Sequence, residues 1–219
     1  MQRDRILTYR LRGTRITEAQ EAALKAHWKK YGLPNAVALN LDEIFPTYKT
    51  RIMEIGFGMG EATAILAKEF PETAFLGVEV HRPGVGKLCA SLEANESANV
   101  RILHNDVIDV IKEQLAKNSL DGVHIFFPDP WQKKRHIKRR LLTPEFLKLI
   151  HPKLKVGGFI HIATDWVPYA EFALKSFAQV SALYEGSEVE RPSWRPITRF
   201  EGQGLNKDHR VTDMRFIKK

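Results

Sequence analysis

The sequence predicts an α/β protein built on a doubly wound, mostly parallel sheet with helices on both faces. Three observations carry this. Short β-rich runs alternate with helical runs from residue 51 onward. A glycine-rich turn, Gly56-Phe57-Gly58-Met59-Gly60, directly follows the first of those runs. An acid then accompanies the end of each of the first three strands, namely Glu54, Glu79 and Asp106. Parallel neighbours require crossover connections, which are almost always right-handed, and ligands of such sheets bind at the carboxyl ends of the strands.

Taken in order, residues up to 17 are basic and irregular, and residues 17–30 read as a helix with Leu24 and Trp28 on one face. This N-terminal arm and helix (1–48) precede the core (49–219), and a chain of 219 residues suits one domain with a single hydrophobic core. After a connection punctuated by Pro34 and Pro46, strands are expected at 51–55, 74–79, 100–104, 122–127 and 159–163. Helices are expected at 61–69, 85–95, 107–115 and 144–150, the last begun by Pro144.

The apolar share of 43% and charged share of 27% are those of an ordinary globular protein. Lys and Arg number 34 against 26 acids, a net charge of +8 that favours a polyanionic partner. Cys89 is the sole cysteine, so there is no disulfide framework, and His and Cys show no metal-ligand spacing. No apolar run reaches the ~18 residues of a membrane span, and residues 1–7 lack a signal-peptide core. The expectation is a soluble cytoplasmic protein, monomer or homodimer, with no membrane and no obligatory protein partner.

Gly56, Gly58 and Gly60 at a strand-to-helix turn allow unusual φ values and close approach of backbone to a ligand. A dinucleotide fingerprint needs a third glycine where Glu61 stands, and a carboxylate there repels pyrophosphate but not a ligand carrying sulfonium and ammonium groups. That chemistry leans towards S-adenosylmethionine. Glu79 is placed to accept from ribose hydroxyls and Asp106 from the adenine amino group. The plainer alternative for Glu79 or Asp106 is a helix N-cap.

The fourth strand ends in Phe126-Phe127-Pro128-Asp129-Pro130-Trp131, where two prolines restrict the backbone around Asp129 at the sheet's carboxyl edge. Next comes Gln132-Lys133-Lys134-Arg135-His136-Ile137-Lys138-Arg139-Arg140, six Lys/Arg without an acid, beside Trp131. Such a run can hold phosphates while the indole stacks on a base, which points to RNA, although a merely solvated face is the bland reading. Asp165 follows the fifth strand, and Thr198-Arg199-Phe200-Glu201 lies further on; a helix cap and an edge turn with an ion pair are their plain alternatives.

The Phe-Pro-Asp-Pro-Trp wording and the Lys-Lys-Arg-His that follows it resemble the bacterial tRNA guanine-N7 methyltransferases, a family of class I, Rossmann-like methyltransferases. Gln132 and Ile137 depart from the family wording without removing a charged group. The resemblance implies S-adenosylmethionine as cofactor, contacted by Glu54, Gly56, Gly58, Gly60, Glu79, Asp106 and Asp129, with Asp129 also the catalytic residue. It implies tRNA as substrate, contacted by Lys133, Asp165, Thr198, Arg199, Phe200 and Glu201, with RNA held by Arg135, His136, Ile137, Lys138, Arg139 and Arg140. The basic segment 10–17 also resembles the family's arm, which the resemblance places near cofactor and RNA; a disordered tail is the equal alternative. Against it stand an amino-group methyltransferase, whose motif has a second proline after the acid, an aminopropyl transferase, whose cationic substrates this loop would repel, and a non-catalytic RNA-binding subunit.

Overall fold

A computed structural model describes residues 6–10, 15–197, 201 and 211–219. Among the described residues seven strands form one sheet in the order β3-β2-β1-β4-β5-β7-β6. Helix α1 (Glu18–Tyr31) starts at Thr17, whose hydroxyl accepts from the Gln20 N–H while the Gln20 side chain accepts from the Thr17 N–H, a reciprocal cap. The chain after α1 is tied to the sheet edge by Leu33 N–H donating to the Ile102 carbonyl. A short helix, α2 (Leu41–Ile44), was not expected from sequence; Asn40 caps it.

The core then runs β1 (Thr50–Ile55), α3 (Glu61–Glu69), β2 (Thr73–Val78), α4 (Arg82–Ala94), β3 (Val100–Leu103), α5 (Val107–Asp109), β4 (Leu120–Phe126), α6 (Pro144–Ile150) and β5 (Leu154–Thr164). All pairings among β1 to β5 are parallel, as the alternation predicts. The helix expected over 107–115 is one α-turn followed by a π-helical turn, Val110–Gln114. The Gln114 amide donates to the carbonyls of Pro34 and Val37, so this segment is shaped by the chain packed over it.

The C-terminal part was not foreseen: α7 (Val167–Ala178), β6 (Tyr184–Val189) and β7 (Thr212–Lys218). β7 inserts antiparallel between β5 and β6. β6 is exposed beyond Tyr184 and offers no apolar alternation to read.

The two faces divide cleanly by the strand period of two. Met53, Ile55, Leu76, Val78, Val123, Ile125, Ile160, Ile162, Met214 and Phe216 face α5, α6 and α7 in one cluster. Leu24, Leu66, Phe75, Leu88, Leu92, Ile102 and Phe126 form the other, with α1, α3 and α4. Among the described residues no helix is long and apolar enough to cross a membrane.

Candidate active site

Glu54 is the penultimate residue of β1, on the face towards α3, and its side chain is 2% exposed. The Thr63 hydroxyl donates to it at 2.7 Å. Burial pushes this carboxyl up to about 7, Thr63 working against the rise and the nearby Glu79 adding to it. A buried acid with one hydroxyl partner is set to receive a cationic donor.

The turn after β1 has φ of +71°, +58° and +76° at Gly56, Gly58 and Gly60, a left-handed region that only glycine enters without strain. A Cβ on Gly56 or Gly58 would project into open space, so the backbone itself forms the cradle wall. Glu79, just past β2, stitches the turn: its carboxylate accepts from the N–H of Gly58 at 2.8 Å and from Val80 and His81 at 2.6 and 2.8 Å. Burial raises its pKa and those three N–H groups oppose the rise. Asp106 caps α5 by accepting from the Ile108 N–H at 2.9 Å, so the capping alternative is realised while the residue also lines the cavity.

Gly84 was not singled out from the sequence, although Pro83-Gly84 in the first turn of α4 was a usable signal. A Cβ there would overlap the Gly58 carbonyl oxygen, which is backbone and cannot step aside. Gly84→Ala is therefore expected to lower stability by about 1–3 kcal/mol and to weaken ligand binding at the turn. A thermal melt and a binding isotherm identical to the parent's would refute this.

Glu54, Glu61, Glu79, Asp106 and Asp129 all line one cavity of about 950 Å³ at the carboxyl ends of β1, β2 and β4, where Lys87 is the only lining Lys or Arg among the described residues. Asp129 is exposed, between Phe127 at φ +50° and Trp131 at φ +42°. Two non-glycine residues in this region, two positions either side of one acid, store strain at the turn that carries it. Thr8 and Tyr9 of the arm also line the cavity, and the Trp131 indole N–H donates to the Thr8 carbonyl at 2.8 Å. The resemblance placed the arm near the cofactor, whereas this particular contact had no signal in the sequence.

The basic run folds as a 3-10 helix, Lys134–Arg139, preceded by Lys133, which is exposed. Lys134, Arg135, Ile137 and Lys138 are exposed, whereas Arg139 lies 4.8 Å over the Trp131 ring and His136 meets its edge. Partial burial, then the charges of Arg135, Arg139, Lys133 and Arg10, hold the His136 imidazole below its ordinary pKa. Arg140 corrects the RNA-contact expectation: it is 6% exposed, donates to the carbonyls of Pro130 and Pro168, and lies against Tyr169 and Phe172. Its role in the structure is to clamp the base of the loop.

Asp165 is half-buried one residue past β5, and the N-cap of α7 is Trp166, so Asp165 is not that helix's cap. Thr198, Arg199 and Phe200 lie outside the described residues. Glu201 corrects the expectation of an open substrate contact: it is buried and held by both terminal nitrogens of Arg195 at 2.7 and 3.0 Å. The ion-pair alternative holds, in the interior and not at the surface. Among the described residues no His, Cys, Asp and Glu gather into a group able to hold a metal.

A family model described as "Putative methyltransferase" matches residues 49–214. A tRNA (guanine-N(7)-)-methyltransferase of Streptomyces avermitilis is 45% identical over 97% of this chain and 75% of its own length. Another, from Methylobacillus flagellatus, is 44% identical over 98% of this chain and 92% of its own. Among solved structures, the 16S rRNA methyltransferase KamB aligns with a TM-score of 0.61 at 14% identity, covering 82% of this chain and 93% of that one. The aminoglycoside resistance methyltransferase NpmB1 aligns at 0.56 and 19% identity, over 82% and 92%. At such identities these structures speak for the fold, which they identify as that of class I methyltransferases.

Proposed function

The chain belongs to the tRNA (guanine-N(7)-)-methyltransferase family, and on that premise we propose that it transfers a methyl group from S-adenosylmethionine to N7 of a guanine in tRNA. The observation that carries the reading is an acid-lined cavity floored by a glycine cradle, with a basic, aromatic loop that leaves it at Asp129 and returns to it at Leu141.

The residues fit the cofactor. Glu54 receives the ammonium of its methionine end, Gly56 and Gly58 admit it without side-chain obstruction, Glu79 takes the ribose hydroxyls and Asp106 the adenine amine. Glu79 already accepts three backbone N–H groups, so it holds the turn and the ribose together. When bound, S-adenosylmethionine supplies an electrophilic methyl group on a sulfonium.

Guanine N7 has an in-plane lone pair and no proton, so the step requires no general base. What remains is positioning and electrostatics. Asp129 accepts hydrogen bonds from guanine N1–H and the exocyclic amine, which orients the ring and offsets the positive charge that grows on it as N7 forms its bond. The target base leaves its stack to reach the cavity. Lys133, Lys134, Arg135, Lys138 and Arg139 hold the surrounding phosphates, while Asp165, Thr198, Arg199 and Phe200 contact the tRNA.

Incubation with labelled S-adenosylmethionine and tRNA lacking the modification, then nucleoside digestion and mass spectrometry, tests the reaction. The expected product is 7-methylguanosine; a different methylated nucleoside, or none, defeats the reading. With about four or five loop cations on phosphates, log affinity for tRNA is expected to fall against log salt with a slope of about −3 to −4. A flat titration would remove the loop from RNA binding.

A further inference from the structure

The half of the sheet formed by β4, β5 and β7 has α6 and α7 on one face. On the other, Trp194 packs on a face that sets three buried polar groups, His124, His161 and Asp213, beside Phe126 and Phe159. Trp194 stacks on His124 with ring centroids 5.1 Å apart at 16° and meets the edge of His161. Beside it, Arg195 is 0% exposed, the largest fully buried side chain described.

Arg195 is used as a double fork. Nε and Nη2 donate to the two oxygens of Asp213 on β7 at 2.7 and 2.9 Å. Nη1 and Nη2 donate to the two oxygens of Glu201 at 2.7 and 3.0 Å. His161 Nε2 completes the Asp213 site at 2.8 Å. Over its other side the guanidinium lies 5.8 Å from the centre of the Phe127 ring, and Phe127 is the strained residue two positions before Asp129.

We propose that Arg195 is a positioning residue that holds Glu201 and the Asp129 turn in one fixed geometry, with Asp213 as its anchor on β7. The inference rests on the role given above to Asp129. Burying a charged triad is a poor route to stability, since well-packed apolar residues serve as well or better. What a planar guanidinium supplies is direction: two carboxylates bound in bidentate fashion to one rigid plane are placed to within tenths of an ångström. Burial alone would raise the Asp213 pKa and lower that of Arg195, yet their pairings reverse both shifts, so this pair stays ionised in the interior.

The test is Arg195→Lys, which keeps the charge and loses both forks. Melting temperature, S-adenosylmethionine affinity, tRNA affinity and single-turnover methylation at saturating tRNA are measured for wild type, R195K, D129N and the double variant. The expected result is cofactor affinity within about twofold of wild type and a single-turnover rate reduced about 10²-fold, the cost of roughly 1 Å misplacement at the reacting atoms. In the D129N background the further loss from R195K should shrink, because the two act together. The proposal is overturned by a rate near wild type, by losses that multiply independently, or by cofactor affinity falling in step with activity. Should R195K fail to fold, the isosteric Asp213→Asn carries the same measurements and criteria. A wild-type protein that forms no 7-methylguanosine would instead bring down the functional reading on which this rests.

Discussion

Asp129→Asn is expected to cut single-turnover methylation of tRNA by about 10²-fold, the usual cost of removing one preorganised electrostatic group, while changing cofactor affinity far less. The amide keeps the shape and one acceptor oxygen of the carboxylate but not its charge. Asp129 is exposed, and asparagine is its isostere, so the substitution changes charge with little change of shape. The loss should appear in the chemical step at saturating cofactor and tRNA. A variant with wild-type single-turnover rate would remove Asp129 from the mechanism and leave the fold and cofactor site standing.

Glu54→Gln is expected to make the cofactor-free protein more heat-stable at pH 8 and to weaken S-adenosylmethionine binding by about 10- to 100-fold, the worth of a hydrogen bond to a charged group. The Glu54 carboxyl rises from 4.5 to about 7 on folding, chiefly through burial. A group with a raised folded pKa contributes stability that is fully present below about pH 4.5 and lost as pH climbs through about 7. The span corresponds to roughly 3 kcal/mol at 1.36 kcal/mol per unit. Glutamine escapes that penalty and still offers an oxygen to the Thr63 hydroxyl. Wild type and variant should therefore differ most in melting temperature at pH 8 and converge near pH 5. Wild-type cofactor affinity should itself fall as pH drops below about 7, where Glu54 takes up a proton, and this dependence should vanish in the variant. Equal melting curves at pH 8, or unimpaired binding, would contradict the assignment.

Much of the acid-lined cavity was legible because its signals are local. Glu54, the Gly56–Gly60 turn, Glu79 and Asp106 each lie within a few residues of a strand end, and a parallel sheet places all its strand ends on one side. The substrate side was legible only in part. Lys133, Arg135 and Lys138 stand exposed as a charge run predicts, but Arg140 in the same run is buried against Tyr169 and Phe172. Nothing within the run distinguishes it from Arg139, because its partners come from α7. Glu201 was read for its motif, whereas its carboxylate is occupied by Arg195, a residue that spacing did not single out.

By itself the sequence determined the parallel half of the sheet, the glycine cradle, the four acids around it and the basic loop beside the Asp129 turn. These follow from periodicity, from glycine's access to positive φ and from the clustering of charge, all properties of neighbouring residues. The tertiary structure alone decided that β7 runs antiparallel between β5 and β6, that the Thr8–Trp131 contact brings the N-terminal arm to the cavity, and that Arg195 and Asp213 fix Glu201 in the interior. The reason is the burial of charge and backbone donors: each must find a partner, and here the partner is supplied by a distant part of the chain that only folding brings within reach.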